Sequence, residues 1–408
     1  MFKKTLFAIL CLCYFISFSQ MKISGKIIDE NSNSVEGASV YLNNTSVGVS
    51  TKSDGKFELT VKEGTYELIV SYLGYTTIKY LLSTASYSKP LFFKLEVSDY
   101  LLNEIVLKKT IYDDIWKYNL TQFKNNFLGR TNLAEQCEIL NPKTLHFEFD
   151  NKTGILVAEV REPLKIKHKG LGYLISFDLV HFTLGRQKVD YFGYTKFENL
   201  TGGKRKQKRW KKNRLKAYNG SKAHFVRSLI KGTTKNEGFN INRFRREVNP
   251  NRPTEKQIER ARQMIKLSGI TTPDLSKKIT NPLTIIDSAK VVLQKISLPK
   301  YIHYLYKQDI NSLELIQKKN SKNILSFKNY ISVIYTKEAE ENNYVMGIFG
   351  KKRNPLTVQT SSVVMLTKTA LLENSGEINS PLDVFYGGYW AYEQFADVLP
   401  LNYQLSKD

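Results

Sequence analysis

The chain has 408 residues, with 61 Lys and Arg against 38 Asp and Glu, which gives a formal net charge of +23. A chain of this length buries a large core and usually forms two or three domains, which excludes a small fold held by disulfides. The positive charge favours acidic partners such as anionic lipid headgroups, lipopolysaccharide, acidic glycans or nucleic acid, although it could serve solubility alone.

Residues 1–19 have the pattern of a secretory signal peptide. Lys3 and Lys4 precede a short apolar stretch, and small residues permit cleavage before Gln20. That stretch is too short to span a bilayer comfortably, and no later stretch is long enough to do so. The sequence therefore predicts an exported protein, periplasmic or associated with the outer membrane, with no transmembrane helix after cleavage. Nucleic acid is not an expected partner in that compartment.

Only one cysteine, Cys137, follows the signal peptide, since Cys11 and Cys13 lie inside it. An intrachain disulfide is therefore excluded from the mature chain. Because Cys137 stands in an apolar, strand-like context, we expect a buried, inert thiol rather than a nucleophile.

The segment that follows the signal peptide alternates apolar and polar residues between turn signals, which predicts a β-sandwich. The Asp54-Gly55 pair provides the positive φ that a tight hairpin needs. Strands are predicted at residues 22–28, 38–42, 57–61, 66–70, 77–82, 91–95 and 103–107.

The turns of this segment carry a resemblance to a known family. The residues concerned are 25–29, 37–40, Gly48, 53–57, Gly64 and 73–75. Together they resemble the carboxypeptidase regulatory-like domain, a transthyretin-like sandwich that also occurs at the N-termini of many TonB-dependent transporters. Val35 and Lys52 depart from the usual pattern without changing the alternation. The resemblance implies a supporting module with no chemistry of its own.

The sequence contains no zinc carboxypeptidase motif. Such a site needs His-x-x-Glu and a distant His, because closely spaced ligands hold the metal while one position stays open for water. None of the five histidines is followed by Glu at the third position. The phosphate-loop, dinucleotide-binding and nucleophile-elbow motifs are absent as well. We therefore expect no metal and no cofactor, and we assign no catalytic residue.

The remaining residues predict an α+β domain with mainly antiparallel strands. Helices are predicted at 111–127, at 254–267 and over the tail 387–400. The first has Ile111, Ile115, Tyr118 and Gln122 at helical spacing, and its apolar face is widened by Trp116, Leu120, Phe123 and Phe127. Strands are predicted at residues 145–149, 155–160, 172–179, 189–194, 303–306, 330–335, 344–349 and 362–367.

The larger region also resembles exported proteins of Gram-negative bacteria that are known only by their carboxypeptidase regulatory-like domain. The residues that carry this resemblance include 127–129, 137–142, 171–173, Trp210, Arg214, 224–229 and Trp390 to Tyr403. With the sandwich it spans nearly the whole mature chain. It implies no activity and no ligand.

Nine basic residues stand among the thirteen of segment 204–216. This charge density attracts phosphates or sulfates, and Trp210 could stack on a sugar or base. Alternatively, the segment is a solvated helix whose Trp210 and Tyr218 pack inward. The candidate ligand-binding residues here are Lys204, Arg205, Lys206, Arg209, Trp210, Lys211, Lys212 and Arg214.

The segment 220–230 holds the densest group of potentially functional side chains. If it is helical, Ser221 could cap it, and His224 and Arg227 fall on one side. His224 could act as a base and Arg227 as an anion clamp. The alternative is a packed, hydrogen-bonded structural role. We include both in the candidate ligand-binding set.

The sequence thus predicts a multi-domain, β-rich protein: a signal peptide at 1–19, a transthyretin-like or Ig-like β-sandwich at 20–107, and an α+β domain at 108–408 with a basic helical insert at 200–232. The predicted function is non-catalytic binding or scaffolding in the cell envelope, with an acidic glycan, a lipid headgroup or an envelope protein as partner. The alternatives are an accessory component of an outer-membrane transport system and an uncharacterised hydrolase that uses the His224 and Arg227 helix.

Overall fold

A computed structural model describes residues 20–98, 110–185, 188–277, 279–320, 322–346 and 353–405. The predicted signal peptide and the strand predicted at 103–107 lie outside the described residues. The chain forms two compact units: the first spans 1–221, 340–355 and 392–408, and the second spans 222–339 and 356–391. Among the described residues, no helix is both long enough and apolar enough to cross a membrane.

Strands dominate both units, in agreement with the predicted β-rich class. The strands are β1 Gln20–Ile28, β2 Ser39–Leu42, β3 Gly48–Ser50, β4 Lys56–Lys62, β5 Thr65–Ser71, β6 Ile78–Ser83, β7 Leu91–Lys94, β8 Cys137–Ile139, β9 Leu145–Asp150, β10 Ile155–Val160, β11 Leu164–His168, β12 Tyr173–Leu184, β13 Val189–Asn199, β14 Phe239–Val248, β15 Tyr301–Lys307, β16 Ile316–Lys319, β17 Lys322–Leu325, β18 Tyr330–Tyr335, β19 Gln359–Met365, β20 Ala370–Leu372 and β21 Val384–Gly388. The helices are α1 Asp114–Phe127, α2 Lys204–Tyr218, α3 Lys222–Lys231, α4 Thr234–Glu237, α5 Glu255–Leu267, α6 Ile285–Gln294, α7 Asn342–Met346 and α8 Tyr389–Tyr392.

The N-terminal part of the first unit is the predicted β-sandwich. One sheet has the order β4-β1-β7 and the other β3-β2-β5-β6. Phe57, Leu59 and Val61 of β4 are buried while the residues between them are exposed, because successive strand residues face opposite sides of a sheet. Gly55, with φ +73°, closes the turn before β4 by donating its N–H to the Lys52 carbonyl. The prediction of a sandwich is confirmed.

The second part of the first unit is a six-stranded sheet, ordered β8-β11-β12-β10-β9 with β13 beside β12. Helix α1 covers it with Phe123 and Phe127, which belong to a core rich in aromatic rings. Phe123 and Phe127 of the predicted apolar face are buried, whereas Ile115 and Tyr118 are exposed, so the prediction of this face is correct only in part. The helix also begins later than predicted, because the Asp113 carboxylate caps it by accepting from the Trp116 N–H.

The second unit contains a five-stranded sheet, β15-β14-β18-β19-β21, and a three-stranded sheet, β16-β17-β20. The neighbouring strands in both are antiparallel, as predicted. Helix α5 closely matches the helix predicted at 254–267, and the Thr254 hydroxyl caps it.

Two of the predicted elements are wrong. A strand was expected at 344–349, but residues 342–346 form the helix α7, and the rest lies outside the described residues. A short apolar run fits either structure, so its periodicity alone cannot decide. A helix was expected over 387–400, but β21 ends at Gly388, and only the single turn of α8 and a 3₁₀ turn at Phe395–Asp397 follow. Gly388 has φ +70°, which is incompatible with a continuous right-handed helix.

Candidate functional site

The basic segment forms helix α2, which is held to the six-stranded sheet by its buried side. Trp210 is only 4% exposed, and its indole N–H donates to the Lys169 carbonyl oxygen at 2.9 Å. Tyr218, the last residue of α2, is buried as well. The structure therefore has Trp210 packed inward, as in the second alternative above, and its ring is not presented to a ligand.

The opposite side of α2 presents a continuous positive surface. The helix contains no acidic residue, and its exposed cations are Lys204, Arg205, Lys206, Lys208, Arg209, Lys211, Lys212 and Lys216. The Arg209 guanidinium donates to the Lys169 carbonyl at 3.3 Å, and Lys216 pairs with Glu341 at 3.6 Å. Like charges at helical spacing repel, so a bound anion would stabilise this surface.

Arg214 differs from the other cations of α2 because it is half-buried. Its Nε donates to the Leu171 carbonyl at 2.7 Å, and its Nη2 donates to the Gly172 carbonyl and to the Asn199 amide oxygen, both at 3.1 Å. The guanidinium carbon lies 3.9 Å from the centre of the Tyr173 ring. Burial lowers the pKa of Arg214, while burial raises the pKa of Tyr173 to about 12.

No carboxylate among the described residues neutralises the charge of Arg214. Within the described residues, its contacts are carbonyl and amide oxygens and a phenol ring, none of them a carboxylate. A partly desolvated cation surrounded by neutral groups favours an anion more strongly than a fully solvated lysine does.

A cavity of about 320 Å³ opens beside Arg214. Its lining combines two cations, four side-chain amides, two tyrosines, a hydroxyl group and a proline: Arg214, Lys211, Asn199, Gln207, Asn402, Gln404, Tyr173, Tyr403, Ser46 and Pro400. The rim is ordered by Asn402, which accepts from the Ser46 N–H at 3.1 Å and donates to the Ser46 hydroxyl at 2.8 Å. Such a lining can bind a ligand that carries both an anionic group and several hydroxyls.

Of the residues that line this cavity, the sequence identified only Lys211 and Arg214 as candidates. Asn199, Asn402 and Tyr403 were missed because each is an ordinary polar or aromatic residue in its own segment. Only the tertiary fold places the end of β13 and the C-terminal segment next to α2. No local sequence pattern predicts this contact.

His224 and Arg227 belong to the second unit and are structural contacts there. His224 is buried, with its Nε2 2.6 Å from the Glu237 carboxylate, which also accepts from the Thr233 hydroxyl. Burial lowers the pKa of His224, and the hydrogen bond to the Glu237 carboxylate opposes this shift. Arg227 donates its Nε–H to the Ser375 carbonyl at 2.8 Å. The Ser221 hydroxyl donates to the Tyr218 carbonyl at 2.7 Å.

A second cavity of about 430 Å³ lies beside Cys137 in the first unit, with Lys124, Arg130, Glu135 and Asn343 on its wall. Burial raises the pKa of the Cys137 thiol to about 12. A thiol so weakly acidic is a poor nucleophile. No group of three or more His, Cys, Asp or Glu side chains that could hold a metal occurs in the described part of the chain.

Residues 23–107 match the family model of the CarboxypepD_reg-like domain. The chain therefore carries this domain in the sandwich, as the turn pattern predicted. The match covers the sandwich only and says nothing of the six-stranded sheet or the second unit. No curated protein gives a significant match.

Two solved structures show a weak likeness. A DUF3823 family protein from Bacteroides ovatus is 11% identical, covering 45% of this chain and 83% of that chain, with a TM-score of 0.15. A protein of unknown function from Bacteroides fragilis, for which membrane association has been suggested, is 9% identical, covering 90% and 93%, with a TM-score of 0.16. TM-scores this low do not establish a shared fold.

Proposed function

We propose that this protein is an exported, non-catalytic envelope protein that binds an acidic glycan along helix α2 and in the adjoining cavity. The observation that carries the proposal is Arg214, a half-buried cation that lines a cavity and contacts only neutral groups among the described residues. The signal peptide pattern supports export, and the buried, hydrogen-bonded His224 gives no support to a hydrolase.

The lining of the cavity suits one sugar residue that bears a carboxylate or a sulfate. Arg214 and Lys211 would bind the anionic group, and the amides of Asn199, Asn402 and Gln404 would bind hydroxyls. The exposed cations are distributed along α2, whose 15 residues span about 22 Å. A polymer with repeated anionic groups can follow such a surface, whereas a single small anion would use only the cavity.

The test is calorimetric titration of the full chain with oligogalacturonate and with neutral dextran. We expect binding of the anionic oligosaccharide only, weakening as salt is added. Replacing Lys204, Arg205, Lys206 and Lys208 by Gln should weaken binding about tenfold, because each exposed charge contributes a few tenths of a kcal/mol.

The matched control removes the same charge elsewhere. Lys318, Lys319, Lys322 and Lys328 are exposed residues of the second unit, and their replacement by Gln should leave affinity nearly unchanged. Equal losses in both variants would mean that binding reflects net charge alone, and the proposed site would be wrong.

Docking to an envelope transport component is a second candidate function. Phe92 on the edge strand β7 and Leu81 on the edge strand β6 are large apolar residues that are mostly exposed. Edge strands with exposed apolar side chains can bind an extended partner segment. Co-purification of a transport protein from envelope membranes, lost in a Phe92→Asp variant, would support this candidate.

A further inference from the structure

Helices α5 and α6 form an insertion between two paired strands of the second unit. Val248 at the end of β14 pairs with Tyr301 at the start of β15. The Asn249 N–H donates to the Lys300 carbonyl at 3.0 Å and closes the base of the insertion. Because α5 starts near this base and α6 returns to it, the end of α5 and the start of α6 form the distal end of the hairpin.

The hairpin has a small core of its own. Ala261 and Ile265 of α5 are buried against Ala289 and Leu293 of α6. Both helices begin with a capping box, at Thr254 and at Thr284, so their starts are fixed by local hydrogen bonds. These four side chains and their neighbours therefore form the interface between the two helices.

The distal end carries apolar side chains that this core does not cover. Leu267 and Leu283 are each 87% exposed, and Ile285 is 70% exposed. Met264, one turn before Leu267, is also exposed. Isolated exposed leucines are ordinary, but four large apolar residues at one end of a projecting hairpin indicate a surface that is covered by something else.

The charges of the same insertion indicate what covers it. Residues 249–300 contain ten basic and four acidic residues. Lys266 is exposed next to Leu267, and Arg260 and Arg262 are exposed on α5. Apolar side chains at the tip with lysines and arginines behind them match the two layers of a bilayer surface, acyl chains below anionic headgroups.

We propose that the distal end of the α5–α6 hairpin inserts into the surface of a membrane that contains anionic lipid. The insertion is shallow: Leu267, Leu283 and Ile285 enter the boundary between headgroups and acyl chains, and the basic residues contact the headgroups. This site is separate from the glycan site, which uses residues of the first unit only.

The experiment is co-sedimentation of the chain after signal-peptide cleavage, residues 20–408, with phosphatidylcholine vesicles, with and without phosphatidylglycerol. We expect binding to the mixed vesicles only. The double variant Leu267→Ser, Leu283→Ser should lose at least about tenfold in vesicle affinity, because the burial of apolar area drives insertion. Leu313 and Leu382 are 74% and 76% exposed elsewhere in the same unit, and replacing both by Ser should change nothing.

Two results would overturn the proposal. One is wild-type vesicle binding by the Leu267→Ser, Leu283→Ser variant. The other is a change in oligomer mass of that variant in sedimentation without lipid, which would make the apolar end an interface between copies. Oligogalacturonate titration of the same variant keeps the two proposals distinct, since we expect its glycan affinity to be unchanged.

Discussion

The imidazole of His168 is held between two backbone groups, one of them 228 residues away in sequence. Its Nε2 lies 2.9 Å from the Ala396 carbonyl oxygen, and its Nδ1 lies 3.1 Å from the Leu171 nitrogen. A carbonyl can only accept and an amide N–H can only donate, so His168 is neutral with its proton on Nε2. The ring therefore joins the end of β11 to the C-terminal segment.

Stability should fall in acid because of His168. Burial lowers the pKa of His168 from 6.5 to about 4. The unfolded chain binds this proton more readily, so the contribution is fully present above pH 6.5 and is lost as pH falls towards 4. We expect a loss of up to about 3 kcal/mol over this range. Urea unfolding at several pH values measures it, and a His168→Gln variant should show a smaller slope. The same slope in both proteins would contradict the assignment.

Gly172 should be intolerant of any side chain. Its φ is +73°, and a Cβ built there would lie 2.2 Å from a carbon of the Trp210 ring. Because the indole is fixed by its hydrogen bond to the Lys169 carbonyl, we expect Gly172→Ala to lower the free energy of unfolding by about 3 kcal/mol or more. Gly37 has φ +78° and open space around it, so Gly37→Ala should cost only about 1 kcal/mol, the backbone term alone. Chemical denaturation compares the two, and equal losses would show that Trp210 moves away.

The parts of the fold that sequence could predict are those with a local cause. Phe57, Leu59 and Val61 alternate with polar residues, so β4 follows from their spacing alone. Thr254 predicts the start of α5 in the same way, because a capping residue acts within one helical turn. Residues 342–346 were mispredicted because a short apolar run has no period long enough to separate helix from strand.

The same distinction between local and tertiary causes applies to the candidate site. The charge of α2 follows from its composition, but the environment of Arg214 depends on Tyr173 and Asn199. These two residues contact it only in the tertiary fold. Trp210 illustrates the converse. Its residue type suggests a stacking platform, and only the Lys169 carbonyl and the packing around it decide that the ring faces inward.

His224 and Glu237 should behave as a structural pair. Their atoms are 2.6 Å apart, and the His224 ring also packs 4.9 Å from the ring of Phe239. We expect His224→Gln and Glu237→Gln each to destabilise the protein and the double variant to lose less than the sum, with a coupling of about 1–3 kcal/mol. A double-mutant cycle from denaturation curves measures this coupling. Strict additivity would mean that the bond contributes nothing in solution.

Cys137 should react very slowly while the protein is folded. Its pKa of about 12 leaves little thiolate at pH 8, and its Sγ lies 3.6 Å from the Leu133 carbonyl. We expect alkylation by iodoacetamide to be about a hundredfold faster in denaturant than in buffer. Mass spectrometry of the peptides separates Cys137 from Cys11 and Cys13. Rapid labelling of Cys137 in the folded protein would indicate a lower pKa and reopen a chemical role for the cavity beside it.

Arg214→Lys separates charge from geometry at the proposed glycan site. A lysine keeps the positive charge but cannot donate simultaneously to Leu171, Gly172 and a bound carboxylate, because it lacks the planar fork of the guanidinium. We expect oligogalacturonate affinity to fall about tenfold while net charge stays the same. Arg209→Lys is the matched control, since Arg209 is exposed on the same helix, and it should bind as wild type does. Titration at constant salt decides the matter: if both variants bind equally well, recognition is a matter of charge density along α2 and the cavity plays no part.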